Sequence, residues 1–550
     1  MKHLIPFFLS LVFLYLSICR VSAQIYVGPR GNVYDDPASG IYVSPNGDDA
    51  TATGAINAPF KSINVALAAA EPGATIILRG GTYHEGTSVR IRKPNITLKS
   101  KKGEWAVIEL PFTDDPNDGN CGVFFNPEAS NCKLQCVEVI GGFYAVGMDT
   151  KWGWHGDDDW MAASNIIIED CKLHDSRYDV VKVKPNCKNI TIRYNEIYNS
   201  GKAFTPPFIG EDNAEGIDNV NGDSMLVHNN YIHDICTNGI YAKGGATDVV
   251  IENNLIKQTY GAGIMAGFDT SPEFFDTVVN PEYYENIGGI IRNNLIINAG
   301  WEGIGLYASK DAQIYNNTLV NVMNINQIPH SAIYFGLSYQ DWDADARRPA
   351  TVNPNIHHNI VCQPAAFNRQ MIEIRYANDL GGMSALDGKP NMSNNCYYVA
   401  GNSAGFTDNR PGSLLKNAVL PEWKLHIDGD NGSLEVDPAL NNDYMPTNPQ
   451  CAGMGITSPF IINNPTTEIE ELRVPSYELR VYPNPTNGEL TMDNGELTIN
   501  NVEIYDIMGK ILNNCQLSIL NSQLKIDVSP LSSGIYFLRA GNKTAKFIKQ

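Results

Sequence analysis

Three lysines, four carboxylic acids and a tyrosine stand at spacings that could do chemistry: Lys182, Lys184 and Lys243; Asp149, Asp179, Glu215 and Asp218; and Tyr241. A lysine whose ammonium is disfavoured by burial or by nearby positive charge can give up its proton and act as a base. Carboxylates gathered at one point hold a hard cation such as Ca2+. A cation on a substrate carboxylate, with a base beside it, suits removal of the weakly acidic proton α to that carboxylate. In this scheme the three lysines are candidates for base or carboxylate clamp. The four acids are candidate metal ligands, and Tyr241 would orient the substrate. An ordinary reading competes, in which Lys182 and Asp218 form only a cross-strand ion pair worth about 0.5 kcal/mol.

The elements that must position these residues emerge from an internal repeat. Apolar triplets ending on polar residues recur, as in "NIIIEDC", "NITIRYN", "VVIENN" and "GIIRNN". Aligned, they put Cys171, Asn195, Asn230, Asn254, Asn294, Asn317 and Asn359 in one column, with steps of 24, 35, 24, 40, 23 and 42. A base step of 23 or 24 suits one turn of a parallel β-helix with three short strands, and the three-and-four apolar spacing of helices is absent. Asparagine suits the bends, because it tolerates left-handed backbone and its amide can bond to the rungs above and below.

A second column, upstream in each rung, reads "VVKVK", "GIDNV", "GIYAK", "GIMAG", "GIGLY" and "AIYFG". Strand alternation points Val181, Ile217, Ile240, Ile264, Ile304 and Ile333 inward. One outward row is then Gly147, Lys182, Asp218, Tyr241, Met265, Gly305 and Tyr334. The next contains Asp149, Lys184, Val220, Lys243, Gly267, Tyr307 and Gly336. Lys243 is expected to face solvent, ~10 Å along the row from Lys184 at ~4.8 Å per rung. Long insertions (150–164, 200–213, 268–286 and 337–353) would wall this strip. Two of them mix aromatic rings with charge: Trp152, Trp154 and Trp160 with three aspartates, and Trp342 with Arg347 and Arg348. Such rings stack on sugar faces, so these six residues are the candidate substrate contacts.

The ends of the chain carry addresses. A short positive start, an apolar run from Leu4 to Ile18 and the small residues of Val21-Ser22-Ala23 read as a signal peptide over 1–23. That run is shorter than a ~20-residue span, so no transmembrane anchor is expected. Losing Lys2 and Arg20 with the signal takes the formal charge from −20 to −22. This excludes nucleic acid as a partner and obliges any anionic sugar to find local cations. Ten cysteines remain in an exported chain, as structural thiols or bridges, since the spacing assigns no pairs.

The segment Ile41 to Gly86, with "YVSPNGDD", "PFKSINVALAAAEPG" and "ATIILRGGTYHE", resembles the N-terminal cap and first rung of secreted right-handed parallel β-helix proteins of the pectate-lyase-like superfamily. The tail, with "LRVYPNPTNGELTM", "VEIYDIMGKIL" and "IDVSPLSSGIYFLRAGNKTAKFIKQ", resembles the type A C-terminal sorting domain of the type IX secretion system of Bacteroidota. The fold expected is all-β: a right-handed parallel β-helix over 25–455, a linker over 456–477 and a small β-sandwich sorting domain over 478–550.

The resemblance implies a chain exported through the periplasm and across the outer membrane, released or held at the surface. Its partners would be the type IX machinery and an extracellular polysaccharide, and we expect a monomer. The activity expected is a polysaccharide lyase cleaving a uronate-containing polymer by β-elimination, with Ca2+ as the cofactor such chemistry uses. The sequence departs from family patterns, however. "NGIYAK" has Asn238 where related lyases place an acid pair before the lysine. Two alternatives therefore stand beside the lyase: a glycan-binding or adhesin protein without catalysis, and a glycoside hydrolase using an acidic pair such as Asp179 with Glu215 or Asp218.

Overall fold

The computed structural model describes residues 24–111, 120–151, 161–201, 213–325, 330–339, 348–364 and 369–463, and in the tail 480–482, 486, 489–493, 502–506, 512, 516–520, 523–540 and 543–549. The expected signal peptide lies outside the described residues. So do Trp152, Trp154, Trp160, Trp342 and Arg347. The chain divides into two compact units, 1–467 and 468–550.

The first unit is a parallel β-helix. Three twelve-stranded sheets run its length, and each strand pairs with its counterpart one turn before and after. The interior is a continuous stack of Val, Ile and Leu from every rung, including Val181, Ile217, Ile240, Ile264, Ile304 and Ile333, all fully buried. The strands read as aliphatic at every inward position because each rung can bury apolar surface only against its neighbours.

The asparagine column is a ladder. The amide oxygen of Asn230 accepts from the backbone N–H and the side-chain amide of Asn195, at 3.0 and 3.1 Å. The pattern repeats through Asn254, Asn294, Asn317 and Asn359 to Asn395. The left-handed backbone falls to a different residue, the one before: Asn229, Asn253, Asn293, Asn316 and His358 have φ between 53° and 57°. The paired asparagines thus divide the two tasks that the sequence pattern assigned to one residue.

A short helix, Ile63–Ala69, plugs the first end with Ile63, Ala66 and Leu67 buried. Its N-terminus is satisfied from a distance, since Glu85 accepts the backbone N–H groups of Ile63 and Asn64 at 2.6 and 3.2 Å. A second helix, Leu420–Ile427, buries Trp423 against Phe406 at the other end of the stack. Phe460–Ile462, within the stretch read as linker, instead forms a strand parallel to Ile25–Val27. Apolar Phe460 packs there beside Val27 and Ile456, which explains why the β-helix unit extends past residue 455. The second unit holds two antiparallel sheets, of four and three strands, as a β-sandwich requires.

One sheet positions the candidate site. We number its strands β1 (Val146–Met148), β2 (Val181–Val183), β3 (Ile217–Val220), β4 (Ile240–Lys243), β5 (Ile264–Ala266), β6 (Ile304–Tyr307), β7 (Ile333–Gly336) and β8 (Gln370–Ile374).

Candidate active site on the outer face of one sheet

The register sets Gly147, Lys182, Asp218, Tyr241 and Met265 side by side on β1 to β5, and Gly305 and Tyr334 follow on β6 and β7. Val220 pairs with Lys243 in the next row. The corner before each strand adds a further row. Asp179 and Glu215 occupy equivalent corners, and the Glu215 backbone N–H donates to Asp179 Oδ1 at 3.0 Å.

Three carboxylates converge here. One oxygen each of Asp179, Glu215 and Asp218 lie within 4.8 Å of one another. All three residues are buried. The Lys182 ammonium bridges two of them, contacting Asp179 Oδ2 at 3.2 Å and Asp218 Oδ2 more closely. Burial acts to lower the Lys182 pKa, but Asp179 and Asp218 outweigh it and hold the group well above the usual lysine range. Lys182 is therefore a fixed cation and a poor base.

The acids diverge. Burial, then the charges of Asp179 and Asp218, push Glu215 well above the usual carboxylate range and favour its protonated form. Burial acts the same way on Asp218, but Lys182 and Lys243 overcome it and hold that carboxylate below its ordinary value. Thr237 Oγ1 and Asn238 Nδ2 donate to Glu215 Oε1 at 2.8 and 3.3 Å. Glu215 Oε2 and Asp218 Oδ1, both buried, have no hydrogen-bond partner. Two orphaned oxygens on one rung, from residues three apart, suit a divalent cation, a hard ion that takes carboxylate oxygen. Asp149 stands apart from this group, its carboxylate taken by Lys184 at 2.8 Å.

Lys243 does not face solvent. It points outward from the helix interior, as alternation requires, but its side chain is only 8% exposed. Its Nζ sits 4.4 Å from the centroid of the Tyr241 ring and 3.9 Å from Asp218 Oδ1. The reason is a layer of insertion above the sheet. Phe268 stacks on Tyr241 at 5.5 Å, and Tyr241 Oη is met by Asn238 Nδ2 at 2.6 Å.

Glu285 fastens that layer. It accepts the Gly244 N–H at 2.8 Å, the Thr270 hydroxyl at 2.6 Å and the Ser338 hydroxyl at 3.1 Å. Arg348, expected to meet substrate, is buried and donates to Glu285 at 3.3 Å and to the Thr270 carbonyl. It ties the 268–286 and 337–353 insertions together beside Lys243, because a guanidinium has donors enough for several acceptors. Among the expected residues, then, Asp179, Glu215, Asp218, Lys182, Tyr241 and Lys243 come together. Asp149 with Lys184, and Arg348 with Glu285, form separate pairs.

The sequence pattern missed Glu285 and a second polar group on the same face. Glu302, fully buried, holds His330 Nδ1 at 2.5 Å and accepts from Tyr307 Oη at 2.8 Å. A signal for it existed: "EGI" is spelled at both 215–217 and 302–304. An open cleft of about 500 Å³ between Tyr284, Tyr376 and Arg410 contains none of these residues.

Comparison with known proteins agrees with this architecture. Residues 117–280 and 162–338 match the right handed beta helix region family, and residues 480–550 match the secretion system C-terminal sorting domain. The chain is a right-handed parallel β-helix protein with a type IX sorting tail. That tail marks the β-helix protein for export to the cell surface or beyond. No helix among the described residues is long and apolar enough to cross a membrane.

Pectate lyase PEL9 of Emericella nidulans is 36% identical over 122 residues, 20% of this chain and 30% of that relative. The match thus spans about a third of the curated relative. Among solved structures, pectate lyase Pel9A aligns over 61% of this chain and 77% of its own at 16% identity, with a TM-score of 0.41. PfbA, a surface adhesin of Streptococcus pneumoniae, aligns over 71% and 93% at 12% identity, with a TM-score of 0.40.

Proposed function

We propose that the β-helix protein acts on an extracellular polysaccharide and cleaves a uronate-containing chain by β-elimination at the face carried by β2 to β4. The observation that carries this reading is a cluster of three carboxylates, two with unpartnered oxygens, one of which faces Lys243 at 3.9 Å. The pectate lyase relative supports the substrate class.

Each residue has a task in this reading. Lys243 is the base that removes the proton α to the sugar carboxylate. It is the lysine least tied to acid, with one contact at 3.9 Å, whereas Lys182 bridges two aspartates and Lys184 is paired at 2.8 Å. Lys182 keeps Asp179 and Asp218 together and balances part of their charge. Tyr241, expected to orient the substrate, lies covered by Phe268 instead, and with Asn238 it braces Lys243 and Glu215 from beneath. Asp218 and Glu215, with Asp179, would hold Ca2+. A cation bound there neutralises the sugar carboxylate and lowers the cost of the carbanion. Glu215 would have to release its proton to ligate, so metal affinity should rise with pH.

The hydrolase reading has its own support, since one protonated and one ionised carboxyl side by side are how an acid–base pair is built. What favours the lyase over it is Lys243, a cation 3.9 Å from Asp218 Oδ1 that an acidic-pair hydrolysis does not call for.

The deciding experiment is a screen of the mature chain on polyuronates and glycosaminoglycans, with and without Ca2+, reading ultraviolet absorbance of the unsaturated product. Reducing ends appearing without that absorbance would support hydrolysis. Glycan binding with neither signal would identify a binding protein.

A further inference from the structure

A different sheet of the β-helix ends in a cluster of cysteines. Cys396 opens the strand Cys396–Val399, which pairs with Ile360–Gln363 on the rung before. Cys451 lies 55 residues further on, in the segment that leaves the closing rung. Its sulfur sits 3.4 Å from that of Cys396, and both residues are fully buried. Ile360 and Met454 close around them, so the contact has an apolar setting. Other buried cysteines are placed differently. The sulfurs of Cys132, Cys136, Cys171 and Cys187 meet backbone carbonyls.

Cys451 belongs to a strap. After the closing rung the chain turns back over the outside of this sheet, towards earlier rungs. Asn316 Nδ2 donates to the carbonyls of Gly453 and Gly455 at 3.0 Å. The Ile456 N–H donates to Thr318 Oγ1 at 3.0 Å, and the Thr457 N–H to Asn293 Oδ1 at 2.7 Å. Phe460–Ile462 then pairs with Ile25–Val27. Each rung thus holds the strap by a few hydrogen bonds, and a segment held so thinly is among the first to open.

Three features single out the cysteine pair. The two sulfurs touch. The sorting tail sends the protein out of the cell, where disulfides persist. The third thiol nearby is out of reach of Cys396: Cys362 pairs in register with Tyr398, two residues along. At ~4.8 Å between rungs and ~3.3 Å per residue, its Cα is ~8 Å from that of Cys396, beyond the ~7 Å that a bridge spans.

We propose that Cys396 and Cys451 are joined by a disulfide in the exported protein, a covalent clasp that fixes the strap to the last rungs. Forming it takes one proton and one electron from each thiol and bonds the two sulfurs. The two electrons and two protons pass to a disulfide of the thiol-oxidase class met during export, which is reduced to its two thiols. Burial raises the pKa of both thiols in the folded protein, so little thiolate is present to attack. The bond therefore forms before the strap docks, and the same burial then shields it from reductant.

The test is mass mapping of the mature wild-type protein recovered from a host with type IX secretion, unfolded and alkylated without reductant. The peptides of Cys396 and Cys451 should appear linked, two hydrogens lighter than their sum, with Cys362 alkylated. Melting and proteolytic nicking between 436 and 463 are then measured for wild type, for wild type refolded after reduction, and for Cys451→Ala. Reduction should lower the wild-type melting temperature by ~5 °C and speed nicking. Cys451→Ala should match the reduced protein and fall no further when reduced. The mapping uses wild type, so it stays decisive if the variant fails to fold. Two mapping results overturn the proposal: both cysteines alkylated in the exported protein, or either one linked to another cysteine. A linked pair whose reduction changes neither melting nor nicking overturns the clasp.

Discussion

Two halves of one sheet face carry opposite chemistry on the same backbone. On β2 to β4 the outward positions are Lys182, Asp218, Tyr241 and Lys243, with Asp179, Glu215 and Asn238 at the corners. On β5 to β7 they are Met265, Gly267, Gly305, Tyr307, Tyr334 and Gly336, with Ala262, Glu302 and Ser331 at the corners. Register, spacing and inward aliphatic residues are alike across both halves. A parallel β-helix is therefore a ruler: it fixes where outward atoms lie and leaves their chemistry free. In the charged half that freedom concentrates charge below the surface, so pKa values are driven apart. In the other half small residues and flat rings pack into a buried apolar cluster beneath Phe268 and Trp301.

The contrast can be broken at several points. The largest effect is expected from Lys243→Ala: turnover in the polyuronate assay should fall a hundredfold or more, the scale of losing a positioned base. Full turnover in this variant would show that the charged half does not carry the chemistry.

Next is Glu285→Ala. It takes the carboxylate from the buried Arg348 guanidinium and should cost about 3–5 kcal/mol in denaturant unfolding. A cost near that of a surface change would show that the insertion layer is not fastened as described.

The ladder sharpens the comparison from beneath, because it underlies both halves equally. Asn254→Ala leaves the buried Asn230 N–H without its acceptor and takes a donor from the Val227 carbonyl, and should cost ~2–4 kcal/mol, about 1–3 per stranded group. Asn253→Ala disturbs mainly a left-handed turn and should cost ~1–2 kcal/mol. Reversal of that order would mean that the stacked amides are not what holds the rungs in register.

The smallest effect is a pH slope. Glu215 is raised in the fold, so folding takes up a proton. Its contribution is most favourable below the unfolded value of ~4.3 and is lost as pH rises toward the folded value. Asp218 is lowered, so its contribution is present above ~3.9 and lost as pH falls through its folded value. Between pH 5 and 8, Glu215→Gln should flatten the fall of the melting temperature and leave the chain more stable than wild type at the upper end. An unchanged slope would mean that Glu215 is ionised in the fold.

Much of this was legible beforehand. Strand alternation and the recurring "GI" placed Lys182, Asp218 and Tyr241 in one row because side chains change face at every residue, and burial of one face pins the register. The asparagine column was visible for the same reason. Asp149 and Lys184 were also placed on the outward rows, yet they pair with each other at its border, since a lysine at a strand end finds the nearest acid. Arg348 was read as facing substrate because its neighbours in sequence are charged, and nothing local shows that Glu285, 63 residues earlier, waits for it.

What the sequence determined by itself is periodic and local: the β-helix, the row on which each outward residue lies, the ladder and the sorting tail. Repetition encodes these, and each rung needs only its neighbours. Only the tertiary structure decided exposure and protonation. Insertions of different length fold back over the sheet, so Lys243 is covered, Glu215 is raised beside a lowered Asp218, and Arg348 meets Glu285. Burial and charge depend on every atom within a few ångströms, and those atoms come from segments whose order in the chain does not say where they will lie.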